Sequence, residues 1–298
     1  LKIMVKSDHS QAELKQTLDQ FNPDTVVCSG WMDKDYLKLM KGLDKRVNRV
    51  LSLDNHWRGD LKQRIASVVS PLHLKRYFSH AWVPGEPQAV FAKKLGFGSK
   101  TLTGFYCAET TFFESKFKAT FADKQKAFPK RFLYVARYVE HKGIFEMWEA
   151  FRQLQDENPN DWELWCLGTG DQWDNRVVHD KIKHFGFVQP EDMDDYLAKT
   201  GVYILPSKFE PWGVSVQEMA IAGFPLILST AIGSAEQFLN KNGFQFESGN
   251  TMELKNSMKK IMELSETELY EMGKLSHALG MQYTTDDWAE RIQRLSKN

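Results

Sequence analysis

The sequence predicts an α/β protein with two domains, each built on a parallel sheet. Its 298 residues exceed one average domain, and 42% of them are hydrophobic, which is enough for two cores. Short apolar strands alternate with helical patterns along the chain, as parallel sheets require. The clearest strand, helix and strand unit lies between Tyr203 and Thr230, so we expect a ligand site where its first strand ends.

This central unit has well-marked boundaries. Its first strand covers 203–205 and its helix covers 214–222, with a loop rich in Pro and Gly between them. Gly223 and Pro225 end the helix before the second strand at 226–228. The loop therefore lies at the carboxyl edge of a parallel sheet, where such sheets bind ligands.

Two carboxylates lie on this unit, Glu210 in the loop and Glu218 in the helix. Since the helix begins only after the Pro-Trp-Gly that follows Glu210, the two acids do not share a helical face. Glu210 is expected to face the crevice, and Glu218 to lean toward the helix N-terminus. The free N–H groups near Gly213 and Val214 would hold an anion between them. Two unrelated surface acids would show the same spacing, so the spacing alone does not define a site.

The charge balance bounds the kinds of partner. Lys and Arg total 39, as do Asp and Glu, which gives no reason to expect a nucleic-acid partner. Residues 1–128 hold 21 basic and 13 acidic side chains, whereas residues 129–298 hold 18 and 26. The first half is therefore the candidate for anionic partners.

Cysteine usage and hydropathy suggest where the protein works. Three widely spaced cysteines, Cys28, Cys107 and Cys166, indicate neither a disulfide framework nor a metal motif. The sequence shows no signal peptide and no apolar run long enough to span a bilayer. We expect a cytoplasmic protein, peripheral on the inner face of the membrane if its basic half meets anionic lipid.

In the first half, strands and helices alternate. The predicted strands are 1–6, 25–28, 49–53, 81–83 and 100–105, and the predicted helices are 11–21, 33–41 and 87–95. Asp54 and His56 follow the third strand, at an edge where parallel sheets build sites. Either residue could equally be a cap or a turn residue.

One further segment of this half, 60–78, mixes basic and apolar residues. Pro71 should break or kink a helix there. The segment fits a core-packed helix with solvated charges, and it also fits a surface that meets anionic lipid or a lipid-linked acceptor.

The second half alternates more clearly. We expect strands at 131–136, 163–167, 203–205 and 226–228, a short strand and turn within 242–250, and helices at 144–154, 191–199, 214–222, 252–264, 266–283 and 288–295. Arg137 and Lys142 stand between the strand 131–136 and the helix after it, where two cations can meet phosphate oxygens. An exposed pair of cations on a loop would look the same.

With its flanking residues, FEPWGVSVQEMAIAGFP resembles the two-Glu signature of retaining GT-B glycosyltransferases that use nucleotide sugars, the family 4-like group 1 enzymes. The resemblance covers residues 130–295 well and 1–125 in outline. It implies a GT-B fold, with two Rossmann-like domains whose parallel sheets face across a cleft. The implied domains are 1–125 for the acceptor, 126–283 for the nucleotide sugar, and a terminal helix at 284–298 that crosses back to the first domain. The many charged residues of 114–130 predict the linker between the first two domains.

The resemblance also implies roles for the candidate residues. Arg137 and Lys142 would clamp the leaving diphosphate, Glu210 would bind the transferred sugar, and Glu218 would bind the ribose. Phe187 and Val188 would lie near the nucleobase. Asp54 and His56 would face the acceptor.

The implied reaction moves a hexose from a UDP- or GDP-sugar to a saccharide or lipid-linked hydroxyl, in polysaccharide or lipopolysaccharide synthesis. No cofactor and no metal are expected, because the sequence has no Asp-x-Asp pair at a strand end and the two cations take that role.

One feature departs from the family pattern. The family's first domain opens with a strand, a Gly-rich turn and a helix, and no such turn precedes Asp24. The first domain therefore looks reduced or truncated. That departure favours an alternative, a GT-B-like binding or scaffold subunit with impaired catalysis. A GT-B sugar-nucleotide epimerase, or a phosphorylase that needs pyridoxal phosphate, are further alternatives.

Overall fold

A computed structural model of the chain describes residues 3–297. The chain divides into two compact units. Unit 1 comprises the residues up to Tyr106 together with those from Asp286 onward, and unit 2 runs from Cys107 to Thr285. Both sheets are parallel throughout, which confirms the predicted fold class of two Rossmann-like domains.

Unit 1 is a four-stranded sheet in the order β1-β2-β3-β4 with helices between the strands. Its elements are α1 (Gln11–Phe21), β1 (Thr25–Ser29), α2 (Lys34–Gly42), β2 (Asn48–Ser52), α3 (Leu61–His73), β3 (His80–Trp82), α4 (Glu86–Lys94) and β4 (Thr101–Leu102). Side chains of Ser10, Asp33 and Asp60 accept hydrogen bonds from the first free N–H groups of α1, α2 and α3. Leu51, Ala81 and Val83 are at the centre of its core.

The strand predicted at 1–6 is not found in the part of the chain that is described. Residues 3–5 have no regular structure, Lys6–Asp8 form a turn of 3-10 helix, and residues 1 and 2 lie outside the described range. β1 pairs only with β2, so this segment has no partner strand among residues 3–297. An apolar run forms a strand only where a neighbour supplies backbone hydrogen bonds.

Unit 2 is a six-stranded sheet in the order β10-β9-β8-β5-β6-β7. Its elements are α5 (Thr110–Lys124), β5 (Arg131–Val135), α6 (Ile144–Glu157), β6 (Glu163–Leu167), β7 (Ile182–Gly186), α7 (Asp194–Lys199), β8 (Val202–Leu205), α8 (Val214–Ile221), β9 (Leu226–Ser229), α9 (Ala235–Phe238), β10 (Gly243–Phe246), α10 (Thr251–Glu263) and α11 (Glu266–Gly280). Every residue of β8 and β9 is buried, as expected for central strands covered on both faces.

Because α5 belongs to unit 2, the boundary between the units lies earlier in the chain than the sequence predicts. The sequence placed a linker at 114–130 and the end of the first domain at residue 125, whereas the structure has a helix that belongs to unit 2. The ring of Phe117 stacks on that of His277 with 3.6 Å between centroids, and Phe121 stacks on Tyr270 at 4.6 Å. These aromatic contacts bind the segment to unit 2 despite its many charges.

The last helix, α12 (Thr285–Lys297), belongs to unit 1 from Asp286 onward. The indole N–H of Trp288 donates to the carbonyl of Phe105 at 2.8 Å, and its ring lies 5.2 Å from that of Trp82. Leu295 is buried beside Val50 and Trp82. The end of the chain therefore completes the core of unit 1.

Lys124, at the end of α5, is buried, and no described residue accepts a hydrogen bond from its ammonium group, which lies 3.6 Å from the centroid of the Phe224 ring. Burial lowers the pKa of Lys124 from 10.5 to about 7. At pH values between these two pKa values, the unfolded chain holds a proton on Lys124 that the folded chain has lost. The free energy of unfolding therefore increases as pH rises through this range, by at most about 1.4 kcal/mol per pH unit. We expect Lys124→Met to raise the melting temperature most at pH 7 and below, and less toward pH 10.5.

The measurement is thermal unfolding across that pH range, with Lys126→Met as the matched control. Lys126 is exposed and lies two residues further along the chain, so its variant should follow the pH profile of the parent protein. A gain in melting temperature for Lys124→Met that is constant from pH 7 to 10.5 would show that Lys124 does not titrate with folding.

Candidate active site

The sheet of unit 2 reverses its strand order between β5 and β8. From this pair, β6 and β7 extend to one side and β9 and β10 to the other. A parallel sheet binds ligands outside the carboxyl ends of its strands at such a switch point, because the two adjacent loops diverge there. The loops after β5 and β8 carry Arg137, Lys142 and Glu210, so the candidate residues lie at the expected place.

These two loops are joined through their backbones. The N–H groups of Lys208 and Phe209 point to the carbonyl of His141, at 2.8 and 3.4 Å. Gly143, just before α6, has φ +68°, and a Cβ atom added there would lie 2.0 Å from the carbonyl oxygen of Pro206. Only glycine fits this contact, which fixes Lys142 beside the loop after β8.

Gly143→Ala should therefore separate the two loops. We expect a lower melting temperature and a loss of nucleotide affinity of at least about tenfold, because the clash pushes apart the whole loops after β5 and β8 and so disturbs several donor contacts at once. The matched control is Gly98→Ala, which places alanine at φ +53° with no atom within 4 Å of the new Cβ. Both variants carry the strain of a left-handed backbone, and only the first has a clash. Equal nucleotide affinity in the two, measured by calorimetry, would contradict this arrangement.

Lys142 and Glu210 form an ion pair between Nζ and Oε2. Both side chains are largely buried, with 16% and 13% of their surface exposed. The hydroxyl of Ser207 lies 3.5 Å from the same carboxylate oxygen. The structure thus brings together two of the candidate residues, which are 68 positions apart in the chain.

Arg137 is held through its backbone while its side chain is exposed. The Tyr134 hydroxyl donates to the Arg137 carbonyl at 3.0 Å. The next residue, Tyr138, donates from its N–H to the carbonyl of Thr169 at 2.9 Å. A Cβ atom added to Gly168 would lie 2.0 Å from the carbonyl oxygen of Ala136, so this close approach requires glycine. The guanidinium makes no ion pair with any residue in the described range, which leaves its charge available to an anion.

The N-terminus of α8 faces the same loop. Its cap residue is Gly213, at φ +87°, and no described side chain accepts from the first N–H groups of the helix, including that of Val214. A Cβ atom on Gly213 would lie 3.1 Å from Cγ of Glu210. The uncapped N–H groups and the helix dipole form an anion site next to Glu210.

Glu218 lies on the next turn of α8 and is partly buried. Burial raises the pKa of Glu218 from 4.5 to about 7. Its carboxylate accepts no hydrogen bond from a residue in the described range, although the adjacent Ser215 accepts one from the Tyr203 hydroxyl at 2.8 Å. A desolvated carboxylate without donors suits a ligand that supplies hydroxyl groups.

Phe187 and Val188 follow β7, at the carboxyl edge of the same sheet. Phe187 is 67% exposed, whereas the ring of its neighbour Phe185 packs on Trp165 at 4.9 Å. No contact of the Phe187 ring with another described ring is found, so its face is open to a flat ligand.

The remaining two candidates, Asp54 and His56, lie in unit 1. Asp54 lines a pocket of about 310 Å³ at the ends of β1 and β2, and the Tyr106 hydroxyl lies 3.2 Å from its Oδ2. His56 does not line this pocket. Its carbonyl accepts from the amide of Gln63 at 2.8 Å, and burial lowers the pKa of its imidazole. Asp54 thus lines a pocket of unit 1, and the predicted role of the His56 imidazole stays a prediction.

Residues 3–297 hold neither a cluster of metal ligands nor a helix that could span a membrane. No three His, Cys, Asp or Glu side chains in this range come close enough together to hold a metal ion. None of the helices in this range has both the length and the apolar composition of a bilayer span.

Comparisons with known proteins agree on one family. The profile of the family described as glycosyl transferases group 1 matches residues 115–275, more than half of the chain. Glycogen synthase of Clostridium novyi is 26% identical over 178 residues, which are 54% of this chain and 32% of that enzyme. The chain spans about a third of the length of this relative and of two others, glycogen synthases of Mycobacterium tuberculosis.

Solved structures show the same fold at low sequence identity. Anabaena HepE, crystallised in complex with UDP and glucose, is 16% identical with a TM-score of 0.71, covering 95% of this chain and 80% of its own. Sucrose-phosphate synthase from Thermosynechococcus elongatus is 17% identical with a TM-score of 0.70, covering 96% of this chain and 76% of its own. With the family profile, these matches lead to one conclusion: the chain belongs to the glycosyl transferases group 1 family and has its GT-B fold.

Proposed function

We propose that this protein is a retaining glycosyltransferase, which moves a hexose from a nucleotide diphosphate sugar to a hydroxyl of a saccharide or lipid-linked acceptor. The observation that carries the proposal is the ion pair of Lys142 with Glu210 at the switch point of the unit 2 sheet, next to the uncapped start of α8. Arg137, which forms no ion pair with a described residue, lies on the same loop as Lys142. Cations and N–H groups at one point suit a diphosphate, and carboxylates at the same point suit sugar hydroxyls.

In the proposed reaction the bond from the anomeric carbon to the diphosphate oxygen breaks, and a bond from that carbon to the acceptor oxygen forms on the same face of the sugar. The proton of the acceptor hydroxyl passes to the departing diphosphate. Negative charge builds on the departing diphosphate. Arg137, Lys142 and the N–H groups at Gly213 and Val214 would stabilise this charge from fixed positions. Since these groups supply the positive charge, the proposal needs no divalent metal.

The carboxylates would orient the donor. Glu218 would accept hydrogen bonds from the ribose hydroxyls, and Glu210 from hydroxyls of the transferred sugar. Because Lys142 pairs with Glu210 before a donor is bound, the ammonium would then be shared between Glu210 and the diphosphate. Phe187 would stack on the nucleobase next to Val188. The UDP found in HepE crystals supports UDP as the nucleotide to test first, with GDP second.

The acceptor belongs to the same proposal. Asp54, in its pocket with Tyr106, would accept a hydrogen bond from an acceptor hydroxyl. The glycogen synthases among the relatives support a saccharide acceptor and a role in polysaccharide synthesis.

The test is a screen of UDP- and GDP-sugars with saccharide acceptors, read by release of the free nucleotide and by NMR of the product. Transfer with an anomeric configuration equal to that of the donor is expected. Inversion would contradict the retaining mechanism, and conversion of the donor to another sugar nucleotide would favour an epimerase. Nucleotide binding without release would favour a binding subunit.

A further inference from the structure

The outer face of α3 carries apolar side chains that the protein does not bury. Five large residues are between 55% and 77% exposed: Leu61, Ile65, Val68, Val69 and Leu72. Their spacing along the sequence places them on one side of the helix. A surface helix ordinarily packs its apolar face against the core. The apolar face of α3 is instead exposed to solvent.

Polar residues anchor the inner side of α3. Gln63 and Ser70 are its buried residues. The Gln63 amide donates to the carbonyl of His56 at 2.8 Å, and the Ser70 hydroxyl donates to the carbonyl of Leu95 at 3.1 Å. These bonds fix the rotation of the helix, so its apolar side is held outward.

The charges around this face have one sign. Residues 61–76 contain no Asp or Glu, and they contain Lys62, Arg64, Lys75 and Arg76. None of these four cations forms an ion pair with a residue in the range 3–297. The face therefore combines exposed apolar area with positive charge that nothing in the described chain balances.

A groove runs beside the helix. It has a volume of about 390 Å³, and its lining is mainly apolar, from Trp31, Ile65, Val69 and Leu95, with Lys62 and His73 also in contact with it. An apolar groove with a cation beside it fits the acyl chain of a lipid whose head group is acidic.

We propose that the outer face of α3 docks on an anionic lipid bilayer. The helix lies in the plane of the interface, its apolar side chains among the acyl chains and its four cations among the phosphates. A second copy of the chain fits this face less well, because a symmetric contact of α3 with α3 would bring eight unbalanced cations together. This inference concerns unit 1 alone and does not depend on the proposed reaction.

The test is co-sedimentation of the 298-residue chain with vesicles of phosphatidylcholine, with and without phosphatidylglycerol. We expect binding to the anionic vesicles that weakens as salt is added. The pair Val68→Asn and Leu72→Asn should lower the binding at least about tenfold, as should the pair Lys75→Glu and Arg76→Glu. All four side chains are exposed, and Lys75 and Arg76 form no ion pair with a described residue. The melting temperature should therefore stay unchanged in both pairs.

The matched control is the pair Val178→Asn and Met252→Asn, which removes two exposed apolar side chains from unit 2. It should bind vesicles as the parent protein does. The proposal is overturned if the parent protein stays in solution with anionic vesicles at low salt, or if the α3 variants sediment as well as the control. It is also overturned if the parent protein is a dimer and the pair at Val68 and Leu72 makes it monomeric, since a second copy would then cover the face.

Discussion

Replacing Arg137 or Lys142 by alanine is expected to lower turnover about a hundredfold or more while changing donor affinity much less. In the proposed mechanism each cation would meet charge that develops as the diphosphate leaves, and the loss of one such fixed group typically costs about 3 kcal/mol of transition-state stabilisation. In the same proposal, ground-state binding would also use contacts to the ribose, the base and the helix N-terminus, so it should depend less on either cation. The measurement is the rate of nucleotide release, with donor affinity taken from calorimetry.

The control for Arg137→Ala is Arg152→Ala, which removes the same charge from unit 2 but at an exposed position on α6, where Arg152 pairs with Glu149. Its turnover should match that of the parent protein. Undiminished turnover in both Arg137→Ala and Lys142→Ala would contradict the proposed clamp.

Lys142→Ala needs a second control, because it leaves the largely buried Glu210 without its partner. Such a loss destabilises the fold whatever the role of the residue in catalysis. The double variant Lys142→Ala with Glu210→Ala should regain most of the melting temperature and stay inactive. If the double variant regained activity as well, the effect of Lys142 would be structural.

Glu218→Gln is expected to weaken UDP or GDP binding by roughly ten- to a hundredfold, since hydrogen bonds to a charged group contribute about 1.5–3 kcal/mol. The same variant should be more stable than the parent protein at pH 8. The folded pKa of about 7 lies above the ordinary 4.5, so the folded state holds the proton longer than the unfolded state. The stability that this group contributes is full below pH 4.5 and is lost as pH rises through 7.

The pH dependence of nucleotide affinity gives an independent test of the proposed role of Glu218 in binding. In the parent protein nucleotide affinity should rise as pH passes 7, because the ionised carboxylate would accept hydrogen bonds from the ribose in the proposed complex. In Glu218→Gln it should not. Glu236→Gln is the control, since Glu236 is exposed on the neighbouring α9. Equal affinity and melting temperature for both variants would exclude Glu218 from the site.

The central strand, helix and strand unit could be predicted from sequence almost to the residue. Expected at 203–205, 214–222 and 226–228, it is found at 202–205, 214–221 and 226–229. The reason is local: both strands are short and wholly apolar, and glycine bounds the helix at each end. The first strand of the unit, β8, pairs in parallel with β5, and Leu133 lies opposite Tyr203.

Interactions between distant residues could not be read in the same way. α5 was interpreted as a linker because charges surround its phenylalanines, although Phe113, Phe117 and Phe121 recur at helical spacing. The ring partners of Phe117 and Phe121, which are His277 and Tyr270, lie about 150 residues further along the chain.

The candidate site shows the same division between local and distant signals. The sequence placed Lys142 and Glu210 at strand ends, but not in one ion pair. Nor does the sequence show that Gly168, after β6, allows the close approach to the backbone of Ala136 just before Arg137. The roles of all these residues in binding and turnover remain predictions to be measured.

Calorimetric titration of the intact chain with UDP and with GDP tests most directly whether unit 2 holds a nucleotide diphosphate sugar at the switch point of its sheet. One nucleotide should bind at a single site, and both Glu218→Gln and Gly143→Ala should weaken that binding. If neither nucleotide binds at about millimolar concentration, or if binding is the same in both variants as in the parent protein, the loops after β5 and β8 are not the donor site.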